Sequence, residues 1–387
     1  MSPTESEAMR ALRRELHRHP ELAWQEHSSR DRIAARLQAL GLSPRPMAST
    51  GLVLDLPGRA EGPRVALRAD TDALPIHEDT GLSFASEVPG VMHACGHDGH
   101  SAMLLGAAMS LQQDPAALPV RLLWQPAEEK GEGARAMIRE GVLDGVGLIF
   151  GGHLDRRYPT GSLVVTEGAV NASTDVFAVS ILGQEGHGAR PHEAVDAIVV
   201  GSILVTALQT IVSREVNPGH PAVVSVGRFS AGTAPNIIAG KAQLEGTVRA
   251  QDPAVREHLV RSICRIADAV GLMHGAKITV SVREGTPPVI NTPEMTELAR
   301  LAALRVVGAA SITRLCSANL GGEDFACYLE KVPGAYIRIG GHMAGRDNPP
   351  AHSGRFDFDE DALPVGAAWL AEVARVGADW LRQRDLG

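Results

Sequence analysis

The stretch Val120-Arg121-Leu122-Leu123-Trp124-Gln125-Pro126-Ala127-Glu128-Glu129 opens as a strand and closes on two carboxylates. Its short apolar run, stopped by a proline, predicts a strand buried on both faces, as in a parallel sheet wrapped by helices. The surrounding chain keeps that rhythm. Residues 51–56, 64–68 and 146–150 also read as strands. Helical apolar spacing marks 7–19 and 28–40, the second closed by Gly41, and 101–111 and 133–139 read as further helices. Strands alternating with helices predict an α/β fold with a doubly wound, mostly parallel sheet. Ligands of such sheets sit in loops at the carboxyl ends of strands. Asp70, Asp72, Glu128, Glu129 and His153 all fall there, with His153 expected just after the strand 146–150.

The rhythm changes in the middle of the chain. Strand 174–182, helix 192–214, strands 222–229 and 241–249, helix 253–270 and strand 276–283 form a β-α-β-β-α-β pattern, which is ferredoxin-like. Turn signals at Gly183 to Gly188 and at Thr286-Pro287-Pro288 bracket it. Helices 293–307, 324–331 and 360–383 and strand 335–339 then complete the first domain. The expected division is 1–174 with 288–387 as a catalytic metal-binding domain, and 175–287 as an inserted α+β domain.

A second run, Met92-His93-Ala94-Cys95-Gly96-His97-Asp98-Gly99-His100, carries a thiol and imidazoles. With the carboxylates after Trp124, these are the groups that bind first-row divalent metals and activate water. Cys95, His97, Glu129, His153 and His352 are the candidate ligands. Five are too many for one tetrahedral ion and suit two ions sharing a bridge, for which the Cys95 thiolate is the natural choice. Taken singly, Cys95 also reads as a buried free cysteine. His153 reads as a strand-end polar group, and His352 as a solvated loop histidine. Neighbouring residues point different ways, so one of Glu128 and Glu129 can ligate while the other serves as general base. A solvated acidic turn before Lys130 is the alternative, which the apolar approach through Leu122 to Trp124 opposes. His17 and His19 read as structural, and His93 and His100 as supports of the metal loop. Glu323 and Asp324 before Phe325 could simply begin a helix, where acids suit the first turn.

Bulk composition narrows the classes. The 387 residues are 44% apolar and 21% charged, with net charge −8 and a pI near 6.0. That length favours two domains. No basic footprint points to nucleic acid, and no apolar run suggests a membrane span. Met1 to His19 lacks the apolar core of a signal peptide. Cysteines at 95, 264, 316 and 327 show no disulfide spacing, so a reduced, cytoplasmic setting is expected. Gly131-Glu132-Gly133 is acidic, and the chain carries no complete phosphate-binding or dinucleotide fingerprint.

At these residues the chain resembles the M20 metallopeptidases, in the amidohydrolase branch that contains hippurate hydrolases, N-acyl-amino-acid hydrolases and plant auxin-conjugate hydrolases. The matching motifs run nearly end to end. They are His17-Arg18-His19-Pro20-Glu21-Leu22, Arg68-Ala69-Asp70-Thr71-Asp72-Ala73-Leu74-Pro75, His93-Ala94-Cys95-Gly96-His97-Asp98 and Gln125-Pro126-Ala127-Glu128-Glu129. Further on come Gly186-His187-Gly188-Ala189-Arg190-Pro191-His192, Gly321-Gly322-Glu323-Asp324-Phe325 and Ala351-His352-Ser353.

The resemblance implies a two-metal catalytic domain and a lid domain through which the chain forms a homodimer. It implies Cys95 (bridging), His97, Glu129, His153 and His352 as ligands of two divalent ions, Zn, Mn, Co or Ni. Glu128 would be the base and Asp72 an orienting group, while the role of Asp70 stays open. His187 matches the lid histidine that reaches into the partner subunit's active site, and Asn236 and Arg249 match lid positions that hold polar groups of a small-molecule substrate. The implied reaction is hydrolysis of the amide of N-acyl amino acids or peptide-like conjugates. The alternatives are a dipeptidase or carboxypeptidase of the same fold, or a non-catalytic metal- or ligand-binding relative. Two stretches depart from the branch's usual pattern: Leu154-Asp155-Arg156-Arg157-Tyr158, where a short proline-containing run is usual, and Glu167 to Thr174.

Overall fold

The computed structural model describes residues 2–345 and 347–385. The chain divides into two compact units. One comprises Met1–Val170, Ile290–Cys316 and Asp324–Gly387; the other comprises Asn171–Val289 and Ser317–Glu323.

The larger unit is built on an eight-stranded sheet. Its strand order is Arg45–Met47, Gly51–Leu56, Val120–Gln125, Arg64–Asp70, Val146–Pro159, Gly334–His342, Leu163–Val164, Ile312–Thr313. The four strands at its centre, from Val120–Gln125 to Gly334–His342, run parallel. Gly51–Leu56 and Arg45–Met47 complete one side antiparallel. Every residue of Val120–Gln125 is buried, as expected for a strand covered on both faces. Leu122 and Trp124 join the main core with helices Pro3–Arg18, His97–Gln113 and Ala362–Asp385.

The smaller unit is a four-stranded antiparallel sheet in the order Ala222–Ala231, Lys241–Ala250, Ser173–Leu182, Lys277–Glu284. With helices Ala197–Thr210 and Pro253–His274 it makes the ferredoxin-like β-α-β-β-α-β arrangement. Its own core gathers Phe177, Ile181, Leu204, Leu208, Leu244 and Ile263.

Three expectations are corrected. The Val146–Pro159 strand runs well past residue 150, so His153 lies inside it rather than after it. Pairing with Gly334–His342 carries the strand onward. The helix expected over 192–214 begins at Ala197, where the Asp196 side chain accepts the Ile198 and Val199 amides, and it ends in a π-helical turn, Ile211–Glu215. The 19-residue run Ala197–Glu215 is also long and apolar enough to cross a membrane by length and composition alone. The sequence reading passed over it because Ser202, Thr206, Gln209 and Thr210 interrupt it. Its Val200, Leu204, Leu208 and Ile211 pack into the core of the smaller unit.

Candidate metal centre

Gly96 holds φ +91° as the N-cap of His97–Gln113, a conformation open to glycine at little cost. This turn places Cys95 and His97 on either side of the helix start. The Glu128–Lys130 turn follows Ala127, itself at φ +53°. The Ala127 amide donates to Glu26 Oε1 at 2.9 Å. Asp72 then accepts the next two amides, Glu128 N to Oδ1 at 3.1 Å and Glu129 N to Oδ2 at 2.9 Å. One buried carboxylate therefore fixes the backbone of both glutamates.

The imidazoles are oriented by backbone carbonyls. His97 Nδ1 donates to Asp72 O at 2.8 Å, and His153 Nδ1 donates to Leu154 O at 2.6 Å. Both tautomers are thereby set, leaving the Nε2 lone pair available to a ligand. His153 Nε2 lies 3.3 Å from Cys95 Sγ. Among the described residues His97 Nε2 is buried with no hydrogen-bond partner, and it stands 3.9 Å from Glu129 Oε1. Glu129 Oε1 is also buried without a well-directed hydrogen bond, with His352 Nε2 at 3.3 Å.

Ligand atoms of Cys95, His97 and His153 lie within 4.8 Å of one another, and so do those of Cys95, Glu129 and His352. Cys95 belongs to both sets. The structure thus brings together all five expected ligands, with Glu128 beside His97 and Glu129 in a further set.

Electrostatics agree with a cation site. Burial resists ionisation of Asp70, yet His97, His100 and Arg68 hold its carboxyl well below the usual range. Burial likewise opposes ionisation of Glu129, but His352 and His97 lower its pKa. The Cys95 sulfur and Glu129 carboxylate facing His352 push its imidazole up to about 10. Burial, then the His100 and Arg338 charges, holds His153 well below its ordinary value. A metal ion competes for the lone pair that the His352 proton occupies. The unpartnered His97 nitrogen, the Glu129 carboxylate and the thiol make a donor set suited to divalent metals.

Residues expected to be supporting, structural or of open role frame this centre, and Glu26 joins them. Asp70 Oδ1 receives His100 Nδ1 at 2.6 Å, and His100 Nε2 accepts the Leu154 amide at 2.9 Å. Asp324 accepts Arg68 at 2.9 Å, Gln125 Nε2 at 2.8 Å and the Ala134 amide at 2.9 Å. His17 pairs with Asp98 at 2.8 Å. Glu26 carried no sequence signal, whereas Asp324 lies in the Gly321-Gly322-Glu323-Asp324-Phe325 motif. His93 is buried, and neither of its ring nitrogens has a hydrogen-bond partner among the described residues. Burial lowers its pKa to about 3.

His187, Asn236 and Arg249 belong to the smaller unit. His187 pairs with Ile237 across two short antiparallel strands, and the Gly188 amide donates to Asn236 O at 2.9 Å. His187 and Asn236 are exposed and adjacent. Arg249 is half-buried opposite Thr174. Burial lowers its pKa, opposed by the Asp175 charge. That carboxylate is already engaged by Arg256 at 2.6 Å. Among the described residues Arg249 forms no ion pair.

The family described as Peptidase family M20/M25/M40 matches residues 66–376. The chain is 39% identical to the N-acetylcysteine deacetylase of Bacillus subtilis, over 94% of this chain and 95% of that one. It is 37% identical to thermostable carboxypeptidase 1 of Saccharolobus solfataricus, over 94% and 93%. It superposes on the crystal structure of the Bacillus subtilis YXEP protein, described as a dinuclear metal binding peptidase from the M20 family. The TM-score is 0.87 at 35% identity, covering 98% of this chain and 99% of the other.

Proposed function

The chain belongs to peptidase family M20/M25/M40 and is a metal-dependent amide hydrolase; from that premise we propose that it cleaves N-acyl amino acids or peptide-like conjugates, with Glu128 as general base. The observation that carries this reading is the buried His97 Nε2, without a hydrogen-bond partner among the described residues, amid the Cys95, Glu129, His153 and His352 donors. Those five residues would hold two divalent ions, with Cys95 in both sets; Zn, Mn, Co and Ni all suit such donors. When bound, the ions polarise the amide carbonyl and acidify the attacking water.

The chain's own groups do the rest. Asp72 fixes the Glu128 backbone. Glu128 takes a proton from the attacking water and returns it to the leaving nitrogen. His187 of a neighbouring subunit would donate to the developing oxyanion. Asn236 and Arg249 hold the substrate carboxylate, the guanidinium by its bidentate fork; that Arg249 forms no ion pair among the described residues supports this. A homodimer through the smaller unit is supported by its edge strand Ala222–Ala231, exposed from Gly227 onward. Such an edge offers unpaired backbone groups to a second chain. Free cysteines suit a cytoplasmic setting.

The test strips the protein with chelator, restores Zn, Mn, Co or Ni singly, and assays amine release from a panel of N-acyl amino acids and dipeptides. Metal-dependent release from the acyl amino acids is expected. Release from dipeptides alone would favour the dipeptidase or carboxypeptidase reading. Glu128→Gln should keep both ions yet lower kcat about 10²–10⁴-fold; a near-native rate would remove Glu128 from the base role.

A further inference from the structure

Arg156 belongs to the stretch that departs from the branch pattern, three residues after His153 on the same strand. It is buried at 8% exposure, and a buried cation costs several kcal/mol unless its donors are satisfied. Among the described residues it forms no ion pair. Its guanidinium donates instead to neutral oxygens of one loop: Nη1 to Pro349 O, and Nη2 to Asn348 Oδ1 at 3.0 Å. The Phe356 ring lies 5.2 Å beneath its guanidinium carbon.

That loop leads directly to His352. The Asn348 side chain closes it on Met343, accepting the Met343 amide at 3.1 Å and donating to Met343 O at 3.2 Å. His352 then adopts φ +66°, a left-handed conformation unusual for a residue with a side chain. Its amide donates to Ala94 O at 2.8 Å, next to Cys95. The His352 side chain is 54% exposed, so little packing holds it. The loop has two fixed ends, one at Ala94 and one at Arg156.

We infer that Arg156 is a positioning residue that ties the loop carrying His352 to the strand carrying His153, and so sets the affinity of the Cys95/Glu129/His352 ion separately from the other. This rests on the ligand sets proposed above. An arginine suits the task because its planar fork reaches two oxygens at once, which lysine cannot do in a fixed geometry.

The test is a Zn2+ titration of chelator-stripped protein, resolving two binding steps by competition with a fluorescent chelator. In Arg156→Gln one step should weaken about 10–100-fold, the usual effect of losing a partner that orients a ligand, while the other keeps its wild-type affinity. Arg156→Lys should fall between. Asn348→Ala should weaken the same step, and the double variant should add little. His352→Ala is the control and should lose that step altogether. If His352→Ala keeps both steps, the ligand assignment fails. If His352→Ala loses one step while Arg156→Gln keeps both, or weakens both equally, the tether fails and the ligand assignment stands. Circular dichroism of the stripped proteins checks folding; should Arg156→Gln not fold, Asn348→Ala decides by the same criterion.

Discussion

Glu128 and Glu129 are chain neighbours whose circumstances differ. Both amides are held by Asp72, but one Glu129 oxygen is buried toward two imidazoles. The motif contained the pair, and the apolar approach to it argued against plain exposure. The anchoring of that turn by Glu26 was invisible, because Glu26 lies 101 residues away in the chain. Arg249 owes its character to its surroundings in the fold. By sequence it had a place only through its family motif, whereas in the structure it is half-buried and, among the described residues, forms no ion pair. A charged hydrogen bond contributes about 1.5–3 kcal/mol. Arg249→Ala should therefore lower kcat/KM about 10–100-fold for a substrate with a free carboxylate. The same substrate as its carboxamide should lose little. Equal losses for both would remove Arg249 from carboxylate recognition.

At the scale of elements, the long strands and helices were legible because each carries its own period. The two-residue strands Leu163–Val164 and Ile312–Thr313 are too short to show one and exist only through pairing. His153 was placed one element too late for a similar reason. Gly151 and Gly152 look like a strand end, yet parallel pairing with Gly334–His342 continues through them. The turn bearing the glutamates shows how tightly an element can be specified. Gly133 starts helix Gly133–Arg139 so close to the preceding strand that a β-carbon there would stand 1.6 Å from Pro126 O. That oxygen belongs to backbone and cannot rotate away. Gly133→Ala should destabilise by about 3 kcal/mol, and in the folded fraction should weaken metal binding by displacing Glu129. A melting temperature within a degree of wild type would contradict this account.

On the scale of the whole molecule, a buried ionic network joins distant parts of the larger unit. Arg13 on the first helix binds Asp98 at 3.1 Å and Asp357 at 2.8 Å. His17 lies between Asp98 at 2.8 Å and Glu78 at 3.3 Å. Burial and the Arg13 charge oppose protonation of His17, but the two carboxylates win and raise its pKa above 6.5. A raised folded-state pKa means that the contribution is complete below about 6.5 and is lost as pH climbs through the folded value. Metal-free protein should lose melting temperature over that window by more than His17→Gln does. Parallel curves would show that His17 does not carry this linkage. A homodimer that shares its active sites makes a sharper demand on the molecule. Glu128 and His187 sit in different units, so if His187 acts in the partner's site, Glu128→Gln and His187→Asn each abolish both sites of their own homodimer. Unfolding and refolding the two variants together makes mixed dimers by chance. In a mixed dimer one site receives both damaged groups, and the other receives intact Glu128 from one chain and intact His187 from its partner. Half the dimers are mixed and half their sites intact, so roughly a quarter of wild-type activity should return. Mass spectrometry of the refolded mixture counts the mixed dimers independently. Mixed dimers without recovered activity would place His187 in its own subunit's site or outside the chemistry.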